Sequence, residues 1–88
     1  MYSFIVTYDL NGLGKKYEDL ISEIKTYPKW AHINESVWFL KSDKSCKEIR
    51  DNLLNYLDED DSIFVAKLTG AAAWHNVMCK SQYLKDNL

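Results

Sequence analysis

From Tyr2 to Tyr8 large apolar side chains stand at every second position, with Tyr2, Phe4, Val6 and Tyr8 on one side and Ser3, Ile5, Thr7 and Asp9 on the other. A two-residue period predicts a strand, here with apolar groups on both faces. A turn-rich Asn11-Gly12-Leu13-Gly14 follows, and the period changes. From Lys15 to about Tyr27, the residues Tyr17, Leu20, Ile21, Ile24 and Tyr27 recur at three- and four-residue steps, the stripe of a helix. Pro28 ends it by pushing its predecessor out of the helical region. Residues 30–42 are rich in aromatic and β-branched side chains around a polar Asn34-Glu35-Ser36. They predict a hairpin of a short strand near Ala31 to Asn34 and a longer one from Val37 to Lys41, with a single bent strand as the alternative. Ser45 followed three residues later by Glu48 is a capping-box pattern, after which Cys46, Ile49, Leu53, Tyr56 and Leu57 line one helical face. The acidic run Asp58-Glu59-Asp60-Asp61 closes that helix, and a strand from Ser62 to Leu68 ends before Gly70.

The order strand, helix, strand pair, helix, strand lets two helices cover one face of a four-stranded antiparallel sheet. That is the α+β, ferredoxin-like split βαβ (βαββαβ) arrangement. Residues 1–70 form this domain, and residues 71–88 are a short C-terminal extension that adds an edge strand, crosses to a partner subunit or forms a loose final helix. The uncovered sheet face would display Ile5, Thr7 and part of Phe64 to Leu68, and an open apolar face of this kind is usually a binding surface.

Composition sharpens the picture in two places. A chain of 88 residues buries only about 60 to 65 per cent of its unfolded surface, yet this one carries three Trp, six Tyr and three Phe. So much aromatic area points to a second buried face, such as a subunit interface. The formal charge is −2 and Arg50 is the sole arginine, so bulk electrostatics lacks the basic signature of a protein that binds by neutralising phosphates. Two cysteines, Cys46 and Cys79, are too few for a disulfide framework, and no secretory signal or membrane span is evident, which gives a cytoplasmic expectation.

Asp9 carries the most suggestive chemistry. A carboxylate at the end of a buried strand must be hydrogen-bonded to the following loop, paired with a cation, or holding a metal. Asn11 is a candidate ribose or outer contact, or simply a residue that tolerates a left-handed turn. Lys15 and Lys16, at the mouth of a helix after Gly12 and Gly14, are candidate phosphate contacts, although helix entry after a glycine turn explains them equally. His32 and His75 are the only imidazoles, and neither has a Cys or His at zinc-ligand spacing. Trp30, Trp38 and Trp74 suit core and interface packing better than base stacking, because basic residues do not interleave them.

The strand ending Tyr8-Asp9-Leu10-Asn11, the Ser36-Val37-Trp38-Phe39 strand, Asp43-Lys44-Ser45 before the second helix and the Gly70 to Trp74 segment together resemble the Cas2 and VapD superfamily. The nearest pattern is that of stand-alone Cas2-like proteins of the SinR family, over about residues 1–75. The resemblance implies a homodimer packed through the open sheet faces. It also implies a divalent cation, Mg²⁺ or Mn²⁺, held by paired Asp9 carboxylates at the dimer axis, and metal-dependent endonuclease action on RNA or DNA. At the position of Ser36 it implies a phosphate contact. The chain departs from Cas2 proteins in its scarcity of basic residues and in having Trp38-Phe39 where they carry Phe-Glu. A different class stays open beside it, a non-catalytic dimeric module that binds a protein partner. A third option is a small sensor with a phosphate-bearing ligand at residues 12–16.

Overall fold

The computed structural model of the protein describes residues 1–11 and 17–88. Its elements are β1 (Tyr2–Asp9), α1 (Tyr17–Ile24), β2 (Lys29–Asn34), β3 (Val37–Ser42), α2 (Cys46–Leu54), β4 (Ser62–Lys67) and α3 (Ser81–Asn87). The four strands form one antiparallel sheet in the order β2-β3-β1-β4, the ferredoxin-like topology expected from the element order.

Strand alternation builds the main core. Phe4, Val6 and Tyr8 of β1 lie beside Trp38 and Leu40 of β3, and Leu20 and Ile24 of α1 with Ile49 and Leu53 of α2 pack over them. Each such side chain contributes about 1.5–3 kcal/mol relative to exposure. Tyr17, at the start of the helical stripe, is exposed.

Helix α1 stops short of Tyr27. Thr26 N donates to Glu23 O at 3.0 Å and Tyr27 N to Ile24 O at 3.2 Å, a tightened last turn that satisfies the final carbonyls before Pro28. Helix α2 opens on the full capping box, Glu48 N donating to Ser45 Oγ at 3.1 Å and Ser45 N donating to Glu48 Oε1 at 2.9 Å. Those bonds from Ser45, helped by Lys44 and Lys47, hold the Glu48 carboxyl below its ordinary pKa. A depressed folded-state pKa stabilises above the ordinary carboxylate value, and this contribution is lost as pH falls through the lowered one. Ser45→Ala is expected to cost about 1 kcal/mol at neutral pH, read as a lower urea midpoint with an unchanged slope. A shift of zero would mean that the cap contributes nothing.

The two helices are tied at their outer edge. Asn52 Nδ2 donates to Glu23 Oε2 at 3.0 Å and to Tyr27 Oη at 2.8 Å, and Tyr56 Oη donates to Glu23 Oε1 at 3.1 Å. The Glu23 hydrogen bond raises the Tyr56 phenol pKa, while burial raises that of Tyr27.

The second sheet face is only partly open, which departs from the expectation of a bare surface. Ala31 and Phe39 are buried there beneath Leu84 of α3, with Ile33, Leu68, Trp74, Val77, Tyr83 and Leu88 around them. Residues 71–88 therefore fold as irregular chain plus a helix laid on the sheet, and no strand forms in them. Met78 N donates to Ile33 O at 2.9 Å, a single bond at the β2 edge. Asn87 latches the end of the helix, accepting from Lys29 Nζ at 3.0 Å through Oδ1 and from Ser3 Oγ at 3.2 Å through its carbonyl. Gly70, at φ 100°, makes the turn out of β4 that starts this return.

Candidate functional site

The part of the second face that α3 leaves bare is the Asp9 end. In register, Thr7 stands between Val37 and Phe64, and Asp9 is opposite Ser62. Tyr8 N donates to Ser36 O at 3.2 Å, which draws the β2–β3 turn against the end of β1. The result is a shallow cleft of about 240 Å³ lined by Thr7, Tyr8, Asp9, Ser36, Val37, Ser62, Ile63 and Phe64. Phe64 is 63% exposed at its lip.

Asp9 is exposed rather than buried, which corrects the premise drawn from the strand pattern. It lies one residue beyond Tyr8, the last core side chain of β1, at the end of the second face that α3 leaves uncovered. Its carboxylate has no hydrogen-bond partner among the described residues. Of the loop N–H groups expected for it, that of Asn11 donates instead to Asp61 Oδ1 at 2.9 Å, and those of residues 12–16 lie outside the described residues. Asp61 Oδ2 also accepts from Asp58 N at 2.8 Å, and Asn11 Nδ2 donates to Asp60 O at 2.7 Å. The acidic run is thus a built turn that clamps the exit of β1, and Asn11 is directed into it rather than towards Asp9. Lys15 and Lys16 lie outside the described residues.

Of the sequence candidates, the fold brings together Asp9 and Ser36. It adds Ser62, which strand register alone could have revealed and residue type could not. Both imidazoles are elsewhere. His32 stacks on Trp38 at 4.0 Å between centroids with its Nε2 3.0 Å from Glu35 O, and His75 lines a separate cavity of about 280 Å³ under residues 72–77. Trp38 is core, its Nε1 donating to Tyr8 Oη at 3.1 Å, and burial pushes the Tyr8 phenol pKa up. Trp74 packs the C-terminal segment on the sheet and donates to Ser81 Oγ at 3.2 Å. Cys46 and Cys79 are free thiols, both half-buried.

Among the described residues no group of three or more His, Cys, Asp or Glu side chains gathers to hold a metal ion. The described lining offers the carboxylate of Asp9 and the aliphatic hydroxyls of Thr7, Ser36 and Ser62, all oxygen. Oxygen donors of this kind are those that Mg²⁺ and Mn²⁺ take, ions that keep several waters. No lysine or arginine lines the cleft among the described residues. No helix of the described residues is long and apolar enough to cross a membrane. Compared with known proteins, the chain matches no family model and no curated protein.

Proposed function

We propose that the chain is a cytoplasmic, Cas2-like protein that works as a homodimer, pairing the bare ends of two sheet faces, and cleaves single-stranded RNA with a divalent cation. The observation that carries the reading is the shared cleft of Asp9, Ser36 and Ser62 beside an exposed Phe64. A second copy facing the first supplies the second carboxylate. When bound, Mg²⁺ or Mn²⁺ would polarise a phosphoryl oxygen and acidify a water. The chain's own part is positional. Asp9 of each copy would hold the ion and accept a hydrogen bond from the attacking water, while the Ser36 and Ser62 hydroxyls donate to non-bridging phosphate oxygens. Water oxygen bonds to phosphorus and the bridging P–O bond breaks. One water proton leaves to solvent, since no imidazole lines the cleft, and the departing alkoxide takes up a proton. Phe64 offers a stacking face for an unpaired base, which favours a single strand over a duplex.

A non-catalytic dimeric module that binds a protein partner is favoured by a different observation, the acidic turn 58–61 next in sequence to Ser62 of a cleft that, among the described residues, no lysine or arginine lines. Cleavage of single- and double-stranded RNA and DNA, with Mg²⁺, Mn²⁺ or EDTA, separates the two when run beside Asp9→Asn. Because Asp9 is exposed, the variant should keep the wild-type urea midpoint and sedimentation behaviour. Metal-dependent RNA cleavage that falls to the EDTA level in Asp9→Asn is the expected result. Cleavage that survives the substitution, or none at all, would leave the interaction module.

A further inference from the structure

A second hollow on the molecule does not include Asp9 in its lining. A cleft of about 550 Å³ runs between the β2 edge, at residues 28–32, and the C-terminal segment at residues 78–83. Its volume falls within the range of small-molecule sites, about 300–1,000 Å³. Its walls are mostly apolar, from Pro28, Ala31, Tyr83, Trp30 at 37% exposure and Met78 at 63%. Trp30 is held in place rather than loose, tilted on Trp38 at 5.9 Å between centroids and carrying Lys25 Nζ 5.1 Å from its own ring.

Charge in this cleft runs opposite to charge in the chain. The net charge is −2, yet the ionisable side chains of the lining include Lys29, His32 and Lys80 and no carboxylate. Lys29 Nζ spends one donor on Asn87 Oδ1, which fixes the ammonium at the rim with further donors to offer.

We propose that this cleft binds a small organic anion with a flat apolar body, of the aromatic carboxylate class. The ring lies against Trp30 and Met78, and the carboxylate faces Lys29 and Lys80. The site is independent of the Asp9 reading.

The test uses 1-naphthoate as probe and its neutral counterpart 1-naphthamide, with amide shift mapping by NMR on the full chain. Naphthoate is expected to saturate and to move the amides of residues 29–32 and 78–83. Naphthamide should bind about tenfold more weakly, since two ammonium contacts are lost together. Lys80→Gln, at an exposed position that leaves the fold intact, should weaken naphthoate about threefold to fivefold, while Lys47→Gln on α2 should change nothing. Equal affinity for the two probes, shifts located elsewhere, or no saturation at millimolar probe would overturn the proposal. So would a concentration-dependent doubling of mass that Trp30→Ser abolishes, because the occupant would then be a second copy.

Discussion

Trp38→Ala is expected to remove about 3–5 kcal/mol of stability, the range for truncating a buried large aromatic. At about 0.05–0.15 kcal/mol per residue a domain of this size holds only about 4–13 kcal/mol in total, so the variant should be partly unfolded at ordinary temperature. Trp38 is 1% exposed and its indole meets three partners. Its Nε1 donates to Tyr8 Oη, one ring face carries His32, and Trp30 leans on its edge. Alanine would leave a cavity that two helices and a sheet cannot close, and would take the hydrogen bond from a buried phenol. Trp38→Phe separates the two losses, keeping most of the area while forfeiting the N–H, and should cost about 1–3 kcal/mol. Urea denaturation of the three proteins checks this. An alanine variant within 1 kcal/mol of wild type would contradict the packing described.

Leu84→Asp should act differently, by releasing one part of the molecule. An ionised carboxylate at this buried position, among Ala31, Phe39 and Tyr83, costs several kcal/mol. The chain escapes that cost by letting α3 lift away, so the loss is capped at the docking energy of residues 71–88. A helix of seven residues is too short to persist alone and should unravel once undocked. The Asn87 latch and the Met78 bond to Ile33 would go with it. Hydrogen exchange is expected to show fast amides at Met78 and in residues 81–88, with β1 and β3 still protected, and Phe39 newly open to an apolar dye. Uniform loss of protection across both regions would instead make the C-terminal segment part of a single cooperative unit.

The elements built on strong local signals were legible in the chain. The alternation of Phe4, Val6 and Tyr8, the stripe of Leu20 and Ile24, and the Ser45–Glu48 box each fix an element by chemistry within a few residues. The polar Asn34-Glu35-Ser36 also marked the hairpin, although β2 begins earlier, at Lys29. What stayed hidden depends on contacts between distant residues. The cover over Phe39 comes from Tyr83, Leu84 and Leu88, a stripe too short and broken to announce a buried helix. Ile5 on the second face of β1 was the hint that something lies there. At the candidate site, Asp9 and Ser36 stood out by type and resemblance, whereas Ser62 enters only through strand register. The exposure of Asp9 followed from which end of the sheet α3 leaves bare. The capture of the Asn11 amide by Asp61 joins positions 50 residues apart, beyond the reach of any local pattern.

The position of β1 between β3 and β4 also has a bearing on how the chain comes off the ribosome. Its central strand is made before both of its neighbours, neither of which is adjacent to it in sequence, and the second arrives only after α2. The β2–β3 hairpin can close within microseconds on its own, while β1 must wait with Phe4, Ile5 and Val6 uncovered until most of the chain has emerged. Pairings of this span slow folding. During that interval the nascent chain carries a free apolar strand, so vectorial synthesis should expose it to aggregation and to holding chaperones more than refolding of the finished protein would.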